Sequence, residues 1–160
     1  MSPTATNATA EERLRDLGVD LPHPPAPLGA YVETVQTGSL LLLSGTLPLE
    51  GGLPKFVGRI GGDLSTEDGR HATYLATLNA LAAARAHLRS LDRVIRVVRL
   101  AVSLVTTPEF REHARVADAA SELLGNVFGA DRTSTRMVYG VGSLAVGVCA
   151  AVELILEVRM

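Results

Sequence analysis

The run VIRVVRLAVSLVT (94–106), closed by Pro108 and followed by a helical stretch from Glu109 to about Phe128, decides the fold. Its β-branched and apolar residues suit a long strand, and Pro108 stops the ladder because proline has no N–H to donate. Upstream, Thr66 to Leu88 is the clearest helix: Leu75, Leu78, Leu81 and Ala82 recur at helical spacing, and Thr66, Glu67 and Asp68 suit an N-terminus. Leu91 and Asp92 end it. Downstream, Thr133–Val141 and Val148–Val158 read as two strands joined around Gly142 to Gly147. Further upstream, Tyr31–Gln36 and Ser39–Ser44 form two strand-like runs around a Thr37-Gly38 hairpin signal. The second run is apolar on both parities and reads as buried on both faces. Gly51-Gly52 and Gly61-Gly62 bracket a loop with one short strand. The order β-β-α-β-α-β-β predicts a two-layer domain, with two helices packed on one face of a mixed sheet.

Composition sets the outer limits. A chain of 160 residues fits one domain and can bury a core without disulfides or metals. Its 15 Lys plus Arg against 17 Asp plus Glu leave a net charge of -2, which disfavours nucleic acid as the main partner. The single cysteine, Cys149, has no internal disulfide partner, and no Cys/His cluster has zinc-site spacing, so the chain reads as cytoplasmic and metal-free. Residues 1–10 lack the basic start and apolar core of a secretory signal and read as a weakly ordered tail; Ala10 to Leu17 suits a short helix stopped by Gly18. The segment LPHPPAPLG (21–29) should be extended and irregular. The uncharged stretch from Met137 to Val152 is short for a membrane helix and carries three glycines, so no membrane partner is expected. Leu, Val and Ala supply most of the 47% hydrophobic content, and a subunit interface would absorb the surplus.

Three segments carry a resemblance: LPHPPAPLGAYVETVQTGSLLLLSGTLPLEGG (21–52), LATLNALAAARAHL (75–88) and RMVYGVGSLAVGVCAAVELILEV (136–158). With a G-x-Y strand, an SG-x-x-P turn and a terminal hairpin opened by arginine, the chain resembles the Rid (reactive intermediate deaminase, YjgF-type) family over roughly residues 18 to 158. The resemblance implies an α+β, chorismate-mutase-like domain over 18–160, after a tail at 1–17, assembled as a homotrimer with sites in clefts between subunits. It implies cofactor-free hydrolysis of reactive 2-imino acids or enamines to keto acids and ammonia. Arg136 matches the family arginine that binds the substrate carboxylate, and Tyr31 and Ser44 match positions lining the same cleft. Several positions depart from the pattern: Ala145 replaces a proline, Thr46 a glutamine and Asp118 an asparagine. The active-site glutamate expected fifteen residues after the arginine falls on Ala151, and Glu153 matches a second acidic position.

Each of these residues also has a plainer reading. A guanidinium fork matches a carboxylate bidentately, so Arg136 suits anion binding, yet an edge-strand arginine paired to an acidic side chain looks the same in sequence. Tyr31 can close the cleft or simply pack across strands. Ser44 has no His and Asp at triad spacing, which leaves a turn hydroxyl able to bond ligand or water. Cys149, Ala151 and Glu153 alternate along one strand face, although a lone cysteine is first of all a small buried hydrophobe. The four histidines, His23, His71, His87 and His113, form no H-x-x-x-H pair. The arginines between Arg85 and Arg99 alternate with apolar residues as a half-exposed helix end and strand would. No paired acid and base suggests phosphodiester cleavage, although some members of the family carry an endoribonuclease label. Without the glutamate at Ala151, a non-catalytic binder of small carboxylates, a protein-interaction module and a biosynthetic relative with different chemistry stay open beside the deaminase.

Overall fold

The computed structural model describes residues 7–160, so part of the expected N-terminal tail, residues 1–6, lies outside the described residues. Thr9 opens a first helix, α1 (Ala10–Asp16), through a capping box in which its hydroxyl accepts from Glu12 N–H and the Glu12 carboxylate accepts from Thr9 N–H. The helix is clasped to the rest of the chain: Glu11 receives both ends of the Arg85 guanidinium at 3.1 and 2.6 Å and the Leu91 N–H at 2.9 Å. The proline-rich segment 21–29 is irregular, as its missing donors require.

Seven strands follow in chain order: β1 (Thr34–Thr37), β2 (Leu40–Leu43), β3 (Leu49–Glu50), β4 (Leu53–Pro54), β5 (Val94–Leu104), β6 (Thr135–Gly140) and β7 (Ala150–Val158). Helix α2 (Thr66–Leu88) lies between β4 and β5, and α3 (His113–Phe128) between β5 and β6. The β1–β2 turn falls on Gly38-Ser39, one residue beyond the expected Thr37-Gly38, because Gly38 must supply the positive φ (58°). The loop expected to hold one short strand contains the small β3–β4 hairpin.

The main sheet runs β1-β2-β7-β5-β6. This order corrects the expected terminal hairpin. β6 and β7 do not pair with each other; β6 runs parallel to β5 after the α3 crossover, and β7 inserts antiparallel between β2 and β5. A crossover helix returns the chain in the same direction, so β5 and β6 become neighbours and leave the opposite edge of β5 for β7.

Helices α2 and α3 cover one face of the sheet, as expected. Ala72, Ala76, Ala80 and Ala84 of α2 are wholly buried; their small side chains let the helix lie close to β7. Under the two helices, Leu41, Leu43, Leu100, Val102, Leu154 and Leu156 meet Leu81, Val116, Leu123 and Val127 in one core. Thr46, 3% exposed, ties the layers together by donating to the Ala76 carbonyl at 2.8 Å while its N–H pairs with Val152.

The other face has no second layer in the single chain. Leu40 and Leu42 are 38% and 39% exposed, which corrects the expectation that this run is buried on both faces. Only Leu41 and Leu43 point at the helices, since strand side chains alternate. Val35, Leu42, Ile155, Met137 and Tyr139 continue this open side.

Candidate functional site

Strand register fixes where each candidate residue points. Leu42 of β2 pairs with Ile155 of β7 on the open face, and Ser44, two residues on, shares that side. Ala151 and Glu153 lie on the same face, abreast of Ser103 and Ala101 of β5, which continue to Tyr139 and Met137 of β6. The fold therefore gathers Ser44, Glu153 and Ala151 at one end of the uncovered side.

Tyr31 lies beside this group, although not in the strand expected for it. β1 begins only at Thr34, and Tyr31 occupies a bend in which its hydroxyl accepts the Leu28 N–H at 3.1 Å. The Ser44 hydroxyl donates to the Val32 carbonyl at 2.6 Å, which leaves its lone pairs able to accept. Its backbone N–H donates to the Glu33 carbonyl at 2.8 Å, extending the β1–β2 ladder by one more pair.

Arg136 stands apart. Register places it opposite Leu100 and Leu154, so its side chain leaves the helix-covered side of edge strand β6. There Nη1 donates to Asp118 Oδ1 at 2.6 Å and to Ser121 Oγ at 3.1 Å, both from α3. Beside it a pocket of about 200 Å³ is lined by Ser121, Arg132, Thr133 and Ser134. β2 and β6 are three strand spacings apart, roughly 14 Å, and the side chains leave opposite faces. Within one chain, then, Ala151 and Arg136 leave opposite faces, because β5 lies between the two strands that carry them.

Cys149 likewise leaves the group. It precedes β7, is wholly buried, and packs in the core rather than sharing the Ala151–Glu153 face. Burial pushes its thiol up to about 11. A thiolate is the reactive form, so the folded protein should resist thiol-specific reagents at neutral pH and label fully only in denaturant, as counted by mass spectrometry. Rapid labelling of native protein would refute this.

Reading the sequence missed Glu33. It stands in the bend just before β1, where its carbonyl accepts the Ser44 N–H, and alternation continued from Val35 puts it on the open side. Burial pushes its carboxyl above the usual range. The signal available was its place two residues after Tyr31 and opposite Ser44 across the hairpin. Among the described residues, no three His, Cys, Asp or Glu side chains gather as metal ligands, and no helix is long and apolar enough to cross a membrane.

An α+β domain with two helices on one face of a β1-β2-β7-β5-β6 sheet, an uncovered apolar face and an arginine on the edge strand defines a chorismate-mutase-like class. Residues 11–158 match the family described as "YjgF/chorismate_mutase-like, putative endoribonuclease", and the chain belongs to it. Protein TCP17 of Trypanosoma cruzi is 35% identical over 160 residues, covering 99% of each chain. A crystal structure from Shewanella oneidensis, described as "a putative endoribonuclease", superposes with a TM-score of 0.90 at 32% identity, covering 94% of this chain and 100% of that one. TdcF of E. coli, solved with bound serine, shares the fold at a TM-score of 0.58 and 22% identity, over 86% of this chain and 94% of its own.

Proposed function

We propose that this protein hydrolyses reactive 2-imino acids or their enamine tautomers to keto acids and ammonia, in a cleft that two neighbouring copies form together. The observation that carries the reading is the division of the site: Tyr31 and Ser44 stand at one end of the sheet and Arg136 on its far edge, and the face without a second layer mixes exposed Val35, Leu40, Leu42, Met137 and Tyr139 with Glu153, Glu157 and Arg99. A closed trimer buries such a face and brings one copy's edge to the next copy's open end. Arg136 then binds the substrate carboxylate through its guanidinium fork, while Ser44 and Tyr31 offer hydroxyls to the reacting end. The serine bound by TdcF is a small amino acid of the right chemical class. No nucleic-acid role, cofactor, metal or membrane is part of this reading, which places the reaction in the cytoplasm.

A second reading, a non-catalytic binder of small carboxylates, is favoured by one observation: Ala151 offers no carboxylate for proton transfer. A coupled assay separates the two. An amino-acid oxidase generates 2-imino acids, and ammonia release is timed with and without the protein. Faster release with the protein is expected. Release at the uncatalysed rate, beside measurable keto-acid binding by calorimetry, would favour the binder.

A further inference from the structure

We infer that Glu33 is the proton-transfer residue of this site and takes over the role left vacant at Ala151. This inference rests on the deaminase reading. Glu33 and Ser44 stand just beyond the paired ends of β1 and β2, joined by the Ser44 N–H to Glu33 carbonyl bond at 2.8 Å. Their side chains leave the same face, about 5 Å apart at Cβ. A water lying between them can give one hydrogen bond to the Glu33 carboxylate and one to the Ser44 oxygen, whose own proton is directed at the Val32 carbonyl.

The surroundings of Glu33 favour such a role. On its side of the sheet the register carries Glu153 and Glu157 on β7 and Arg99 on β5, and Tyr31 stands two residues before it on the preceding bend. On the opposite side, His87 of α2 is occupied with Gln36 and Thr34 at 2.9 and 3.3 Å and does not face it. No ion pair fixes the Glu33 carboxylate among the described residues. Partial burial makes it a better base than an ordinary surface glutamate.

The step balances without an oxidant or cofactor. Water oxygen forms a bond to the imine carbon, its proton passes to Glu33, and the C=N pair moves onto nitrogen, which gains a proton from solvent. In the collapse of the carbinolamine, Glu33 returns its proton to the nitrogen, the C–N bond breaks, and the hydroxyl proton is lost as the carbonyl forms. The net products are a keto acid and ammonia.

The test compares the full-length wild type with Glu33→Gln, Glu33→Asp and Glu153→Gln in the coupled assay across pH. Glu33→Gln should lower kcat by about 10²-fold, leave KM within about two-fold, and remove the acid limb of the pH profile. Glu33→Asp should keep that limb at a reduced rate. Folding is monitored by thermal melting, and the sign is fixed: a carboxyl raised by burial in the native state costs stability above its native value, a cost that disappears as pH falls below the unfolded value. Glu33→Gln should therefore melt no lower than wild type at pH 7. An active wild type with Glu33→Gln of unchanged kcat and pH profile overturns the inference and leaves the deaminase reading intact. Transfer of the rate loss to Glu153→Gln overturns it in the same way. A wild type that never accelerates hydrolysis overturns both.

Discussion

Replacing Leu40 and Leu42 together by aspartate is expected to convert the proposed trimer to monomers and to abolish the proposed imine hydrolysis, although neither residue touches the reacting groups. Both leucines stand on the uncovered face, where Leu42 is in register with Val35 and Ile155. Burying the apolar area that each still exposes contributes roughly 1–2 kcal/mol per contact, and a carboxylate forced into the same place costs several kcal/mol more unless it is paired. The effect is repeated at every interface of a cyclic assembly, so the association constant should fall by several orders of magnitude. The interior should tolerate the change, since Leu41 and Leu43 keep the core contacts. Light scattering at micromolar concentration reads the assembly, far-ultraviolet dichroism the fold, and the coupled assay the activity. A wild type that is already monomeric would refute the trimer. A monomeric double variant with full activity would refute the shared cleft.

Arg136→Ala should weaken binding of a keto acid or benzoate-like anion by about 2–3 kcal/mol, or roughly 30- to 150-fold, the scale of a lost charged hydrogen-bonded contact. Arg136→Lys should lose roughly 1–3 kcal/mol, because an ammonium cannot reproduce the planar fork. The structure adds a companion experiment. Asp118 already accepts from Arg136 at 2.6 Å, so an incoming carboxylate competes with a resident one for the same cation. Asp118→Asn keeps an acceptor oxygen but removes the charge, and is expected to tighten anion binding several-fold. Calorimetry on the three variants decides the matter. Unchanged affinity in Arg136→Ala would remove this residue from the site and leave the Asp118 pair as a structural contact of an edge strand.

Much of the fold was legible because local physics decides it. The bounds of α2 follow from a Ser65–Asp68 capping box, with a left-handed Arg89 after its last turn, and β5 is a long β-branched run that reads as a strand. The candidate residues were legible as a set through the family resemblance, in which Tyr31, Ser44 and Arg136 hold their order and spacing. Their places within one chain were not. Arg136 and Ala151 sit on the last two strands of the chain, yet β5 lies between those strands and their side chains leave opposite faces. Glu33 went unread for the complementary reason: its partner Ser44 is eleven residues away along the chain, and only the hairpin register makes them neighbours.

The sequence by itself determined the kinds of element, their order, the two-layer class and the identity of the arginine on the edge strand. These depend on side-chain periodicity, chain stiffness and capping, which act over a few residues. Tertiary structure alone decided which strands are neighbours, which face of LLLL stays uncovered, and that Cys149 belongs to the core rather than to the Ala151 face. Strand pairing joins residues far apart in the chain, and a single inserted strand or a one-residue shift of register reverses which side a side chain serves. That is why chemistry assembled across the sheet, unlike the elements that carry it, cannot be read along the chain.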